Sequence, residues 1–196
     1  MNALEALAFE VAQSPWVYPV VIALSAMDAF TIVLPSETVL AGLSSTSVSL
    51  GAPNLVFLGL AAILGAHLGD LGVFMIGRLL AQTRYFLGSN RVTRLLDWTR
   101  RRLDTQGPVY IMTARYIPYG RLLVNAAAGS SGFPAPRFIA LSLVGCVIWA
   151  SLYVSIGAGA GWWLGQNWWL GVLGAVVVAV ALGFLVDRVV RRRHQI

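Results

Sequence analysis

Apolar residues in this chain run in long unbroken blocks instead of alternating with polar ones. Four blocks, roughly 15–30, 54–77, 137–160 and 168–187, approach the ~20 residues a helix needs to cross a bilayer, and we read them as transmembrane helices. Two further blocks are apolar but interrupted. Residues 31–50 contain Pro35, Glu37, Gly42 and a run of serines and threonines. Residues 108–134 contain Arg115, Pro118, Gly120, Arg121, Asn125 and Gly129. At the N-terminus, Leu4, Leu7 and Val11 fall near helical spacing, which predicts a short amphipathic helix over 1–14. With Glu5 and Glu10 and no basic residue, this segment does not read as a cleavable signal peptide.

The arginines orient these blocks. They concentrate at 78–102 and in the tail 188–196, as cytoplasmic flanks of membrane spans do. The loop 161–169 carries four tryptophans and no arginine, which places it on the opposite side. Two spans separate Arg137 from the basic tail, so Arg137 shares the tail's side. The block 108–134 therefore leaves and regains one face of the membrane, as a re-entrant hairpin. By analogy 31–50 forms a second hairpin, entering from the other face. Irregular backbone at membrane depth must be buried in protein or line a wet cavity. A hairpin followed by a long helix, twice over, suggests the inverted repeat of transporters. The expected fold is thus all-α and polytopic, a single domain over 1–196 with about four transmembrane helices and two hairpins.

Composition agrees. Of the 196 residues, 58% are hydrophobic and 11% charged, against roughly 25% charged in a soluble domain; the mean hydropathy is +0.74. The net charge of +6 flanks apolar runs and accompanies no recognition fold, which excludes nucleic acid as a partner. Cys146 is the single cysteine, so no intrachain disulfide forms, and it reads as a packed thiol.

Chemistry concentrates in the interrupted blocks. An arginine at membrane depth costs a few kcal/mol on insertion scales (about 3) and needs a reason to be there. Along a continuous helix Arg115 and Arg121 would diverge by about 240°. A break at 117–120, where Pro118 removes a hydrogen bond and Gly120 relaxes the chain, lets them converge. Two converging guanidiniums suit a phosphate. The alternative is that each pairs with a buried carboxylate and ties the hairpins together. Asp28, Glu37 and Asp70 are the carboxylates in apolar surroundings, candidates for proton exchange or for pairing with arginine. Pro35 sets the first hairpin's break and Glu37 follows it. His67 shares a helix face with Asp70 and reads as a packed histidine more readily than as a relay. No metal site is expected, because His194 lies in the tail. The G-S-S-G at 129–132 mimics a serine-protease motif but lacks a suitably spaced base. A phosphatase would lack its catalytic pair. The chain is expected not to be an enzyme and to need no cofactor.

The stretch R-Y-I-P-Y-G-R at 115–121, with Ala128-Gly129, Phe138, Gly145 and Trp149, resembles the DedA family, the SNARE-associated or VTT-domain superfamily of membrane proteins. Asp28 to Glu37, D-A-F-T-I-V-L-P-S-E, resembles its first acidic motif, and Gly65 to Arg78 its glycine-aspartate helix. Asp28 stands where glutamate is commoner, and Phe74, Ala81 and Gly132 also depart from the usual pattern, but no charged position is lost. The resemblance implies two facing re-entrant hairpins in a bacterial inner membrane, with a cytoplasmic C-terminus. It implies translocation of a phosphate-bearing lipid, an undecaprenyl or other polyprenyl phosphate or a phospholipid. Arg115 and Arg121 would hold the phosphate, Glu37 and Asp28 would carry protons or gate it, and Asp70 would support them. The competing readings are a proton-coupled small-ion antiporter and a membrane-homeostasis or assembly factor. Small-residue spacing such as Gly65–Gly69 also permits a homo-oligomer.

Overall fold

The computed structural model describes residues 10, 12–31, 36–81, 101, 103, 105–107, 109–116 and 120–164. Among them every regular element is helical: α1 (Val17–Met27), α2 (Ser36–Leu50), α3 (Leu55–Ala81), a 3-10 turn (Ala114–Tyr116), α4 (Gly120–Ser130) and α5 (Ala135–Leu164). Residues 105–107 and 109–113 are helical and lead into the 3-10 turn. The N-terminal segment 1–9, the expected span 168–187 and the tail 188–196 lie outside the described residues.

Two long helices form the frame. α3 has 27 residues and α5 has 30, each longer than the ~20 needed to span a hydrocarbon core. Asn54 starts α3 as a helix cap, its Oδ1 accepting from the backbone of Val56 at 3.0 Å and Phe57 at 3.2 Å. The two helices run antiparallel. Phe138 stacks on Phe74 with ring centroids 4.3 Å apart, Ser142 meets Asp70, and Val154 lies against Gly59. Outward they present Phe57, Leu60, Leu68, Val144 and Ile148, all exposed. Apolar faces of this extent suit lipid, and the protein is a helical membrane protein.

The remaining helices pack on this frame in a crossed pattern. α1 lies parallel to α3, with Ile22 on Gly65, Ala26 on Gly69 and Phe30 on Gly72. α2 runs parallel to α5, with Ala41 on Gly157 and Ser45 on Gly161. The chain therefore reverses between α1 and α2, with Asp28 and Ser36 at the reversal. A second reversal follows. Gly107 abuts the Phe133 ring, and Arg115 reaches Asp70 and Cys146, so that arm descends along α5. α4 returns along α3, from Arg121 beside Ala66 and Asp70 to Gly129 against Phe74 and Arg78. The two reversals approach Asp70 from opposite ends of the frame.

Two expectations change. The block 15–30 is not a full span: α1 has 11 residues, about 16 Å of helix against a core of ~30 Å. It ends in a tightened turn, Asp28 N–H donating to Leu24 O at 2.9 Å and Phe30 N–H to Met27 O at 2.9 Å. The block 31–50 is not broken within itself either. From Ser36 it is one continuous helix, because its hydroxyls turn back onto their own backbone: Ser44 to Leu40 O at 2.7 Å, Thr46 to Leu43 O and Ser49 to Ser45 O at 2.9 Å each. The first reversal accordingly has α1 and α2 as its arms, with the turn between 28 and 36. Gly129 to Gly132 have a structural role. They close α4 in a Schellman motif, Gly132 at φ +78° with Phe133 N–H reaching Ala128 O at 3.1 Å. Ser130 and Ser131 donate to the carbonyls of Ala127 and Ala128 at 3.2 Å each. Here the G-S-S-G motif terminates a helix.

Ser45 is the exception among the buried hydroxyls of α2. Its Oγ is buried against α5 and has no partner among the described residues. Ser45→Ala is expected to raise the melting temperature in detergent, by about 1 kcal/mol of stability. Ser44→Ala, which removes a satisfied hydroxyl, should not. Equal or lower stability for Ser45→Ala would show that the hydroxyl has an unseen partner.

Candidate functional site

Asp70 is the centre of the site. It lies on α3 between two apolar cores, one around Leu58, Ala62, Trp149 and Tyr153, the other around Phe74, Ile111, Phe133 and Phe138. Its side chain is 3% exposed. Both guanidiniums reach it. Arg121 Nε donates to Asp70 Oδ1 at 2.6 Å, and Arg115 Nη2 donates to Asp70 Oδ2. The 3-10 turn and the start of α4 at Gly120 are what break the 240° divergence of a single helix. Pro118 and Pro35 lie outside the described residues.

The two oxygens of Asp70 face different neighbourhoods. On the Oδ1 side, Asn125 Nδ2 donates at 2.8 Å. Arg121 spends its other nitrogens there too, Nη1 on Asp28 Oδ2 at 3.1 Å and Nη2 on Ala66 O at 2.9 Å. Arg121 and Asn125 sit four residues apart, so both point from α4 at α3. On the Oδ2 side, Ser142 Oγ donates at 2.7 Å and Cys146 Sγ lies 3.6 Å away. These two are again four apart, on α5. Arg115 Nη2 also contacts Cys146 Sγ at 3.0 Å, and its guanidinium carbon lies 5.7 Å from the centre of the Trp149 ring. Its Nη1 is buried without a hydrogen-bond partner among the described residues. His67 Nδ1 stands 3.1 Å from Ser142 Oγ.

Of the carboxylates singled out from sequence, Asp70 moves from the edge of the site to its middle. Asp28, at the first reversal, holds Arg121 from the far side. Glu37 lies in the first turn of α2 and accepts from Ser36 Oγ at 3.4 Å. It stands close enough to Asp28 for their charges to repel, and makes no ion pair among the described residues. Asn125, Ser142, Cys146 and His67 were not among the expected site residues. Asn125 and the His67–Asp70 spacing were visible in the sequence. Ser142 and Cys146 were not, since they read as ordinary members of an apolar helix.

A family model for the VTT domain matches residues 34–159, well over half of the chain. The chain belongs to the VTT-domain family, the DedA membrane proteins. Its relatives include an alkaline phosphatase-like protein of Lactococcus lactis subsp. lactis, 32% identical over 166 residues, covering 78% of this chain and 74% of that protein. The similarly named protein of subsp. cremoris is 33% identical over 138 residues, covering 65% and 63%. Inner membrane protein YabI of Escherichia coli is 30% identical over 135 residues, covering 66% and 51%. The chain thus spans between half and three quarters of the length of these relatives. No solved structure matches it. The VTT match takes in Glu37, Asp70, both arginines, Asn125 and Ser142 but begins after Asp28. The Arg121–Asp28 contact is therefore what joins α1 to the matched domain's charged centre.

Proposed function

We propose that this DedA protein moves a phosphate-bearing lipid, a polyprenyl phosphate or a phospholipid, across the bacterial inner membrane, with proton exchange at its carboxylates. The observation that carries this reading is Nη1 of Arg115, which is buried and finds no hydrogen-bond partner among the described residues. The side chain is 4% exposed, and a buried donor left unsatisfied costs about 1–3 kcal/mol. An arriving acceptor-rich group recovers that cost. Phosphate oxygens are such acceptors and guanidinium is their preferred fork.

On this reading the two reversals are re-entrant hairpins from opposite faces, and the C-terminus is cytoplasmic. The charges explain why protons enter. Arg115 and Arg121 face Asp28, Asp70 and Glu37, two cations against three carboxylates. A phosphate joins such a cluster only when a carboxylate is neutralised or withdrawn, which couples anion entry to proton uptake.

Liposomes containing the full chain and a fluorescent polyprenyl phosphate test this. Arg115→Gln should abolish headgroup movement while the protein stays folded by gel filtration, and the neutral polyprenol should not be moved by the wild type. Movement at the wild-type rate without both Arg115 and Arg121 would sink the proposal. The same vesicles separate the alternatives. Proton flux without lipid movement would favour a small-ion antiporter. Release of inorganic phosphate would favour the activity that the names of the Lactococcus relatives suggest.

A further inference from the structure

Asp70 is buried, so any proton it exchanges with water must pass through a neighbour. Its partners among the described residues are Arg115, Arg121, Asn125, Ser142 and Cys146. Guanidinium does not release its proton in a protein, and an amide does not relay one. Cys146 is fully buried, and its polar contacts lead back to Arg115, Asp70 and Ser142. Ser142 is different. Its hydroxyl donates to Asp70 Oδ2 at 2.7 Å and lies 3.1 Å from Nδ1 of His67, which is only partly buried. Ser142 has one proton, and it is directed at Asp70. The hydrogen between His67 and Ser142 must therefore belong to His67, which fixes the imidazole as the Nδ1–H form.

We propose that His67 and Ser142 form the proton relay of the site, carrying protons between the partly exposed imidazole and Asp70. The proposal rests on the transport reading above and supplies its proton route. A proton from water binds His67 Nε2. The Nδ1–H bond then breaks as that proton passes to Ser142 Oγ, and the hydroxyl's own proton passes to Asp70 Oδ2. One proton has entered, His67 is neutral again as the Nε2–H form, and Asp70 is an uncharged acid. Arg115 and Arg121 lose their shared counter-charge and turn to the phosphate. The reverse transfers restore the starting state.

The charged and titratable groups around His67 fit this role. Asp70 lies three residues along its own helix, and Arg115 of the 3-10 turn stands on the same Oδ2 side of Asp70 as Ser142. From α5 it meets Ser142, with Cys146 next along the same face. Arg121 of α4 and Asp28 beyond α1 stand on the Oδ1 side of Asp70, away from the relay.

The test is the ratio of lipid-phosphate movement with an imposed pH gradient to movement without one, in vesicles holding the full chain. His67→Asn keeps an N–H donor near the Nδ1 position but cannot relay, Ser142→Ala removes the hydroxyl, and Ser142→Thr keeps it. The gradient-driven rate should fall by about a hundredfold in the first two, the low end of what a positioned proton-transfer group contributes, and return in the third. A second readout does not depend on lipid. Nitrogen NMR of labelled histidine, assigned by loss of the signal in His67→Asn, should show the Nδ1–H form. A bare Nδ1, a ratio of one in the wild type, or a wild-type ratio in His67→Asn overturns the relay and leaves the lipid reading standing. If no lipid phosphate moves but vesicle acidification still needs His67, the lipid reading falls and the relay stands.

Discussion

Asp70→Asn is expected to destabilise this protein more than any other single charge change in it. The substitution keeps size and shape, so its effect isolates charge. Asp70 accepts from both guanidiniums, from Asn125 and from Ser142. Its side chain is 3% exposed and those of Arg115 and Arg121 are 4% and 10% exposed. Removing one partner of a buried ion pair leaves an uncompensated charge and costs about 3–5 kcal/mol. Arg121 would keep Asp28, but Arg115 has no other carboxylate within ion-pair distance among the described residues. The amide of asparagine would also point an N–H at one of its former donors. The loss corresponds to a fall in melting temperature of about 10 °C for a chain of this size. Asp28→Asn should cost much less, because Asp28 accepts one arginine bond at 3.1 Å and its side chain is the most exposed of the four, at 13%. Thermal melting of the three proteins in one detergent decides the matter. Equal melting temperatures for Asp70→Asn and the wild type would mean that the two guanidiniums do not depend on Asp70.

Much of this arrangement could be read from the chain before its fold, and the reasons for the gaps are physical. Hydrophobic block length located α3 and α5, since little besides lipid tolerates such runs. The break read at 117–120, which falls between the 3-10 turn and α4, was legible because proline and glycine act on their own backbone. Asp28, Asp70, Arg115 and Arg121 stood out because charge is expensive in an apolar stretch. What block length could not give was the length of α1, where a tightened turn at Asp28 ends a helix that apolarity alone would extend. Nor could it show that α2 is continuous. Serine and threonine lower helix propensity, and only the back-bonding geometry of Ser44, Thr46 and Ser49 shows how they are absorbed. The position of Asp70 at the centre of the cluster escaped the sequence for a different reason. Glu37 drew attention through its place after Pro35, a local signal. The centrality of Asp70 arises from four elements meeting, namely α3, the 3-10 turn, α4 and α5. No window of sequence contains that meeting, and Ser142 and Cys146 join the site through it without any mark of their own.

Close backbone approach makes that meeting possible, and Gly129→Ala tests it with one methyl group. Arg121, Asn125 and Gly129 recur every four residues along α4 and so line the face turned to α3. At Gly129 an added Cβ would fall on the carbonyl oxygen of Phe74 and within 2.9 Å of the backbone nitrogen of Arg78. Those atoms belong to the backbone of a long helix and cannot rotate aside. α4 must instead lift from α3, which carries Arg121 Nε away from Asp70 Oδ1 and Asn125 with it. The expected cost is about 3 kcal/mol, the upper range for overpacking, together with loss of lipid-phosphate movement. Gly159 gives the opposite expectation from the same substitution. It lies within α5 with nothing within 4 Å of an added Cβ, so Gly159→Ala should stabilise by up to about 1 kcal/mol through helix propensity alone. The pair of variants separates a general dislike of larger residues from a specific contact, because only one of the two sits under α3. If Gly129→Ala melted with or above the wild type, α4 would not be seated on α3 by this contact, and the alignment of Arg121 with Asp70 would need another cause.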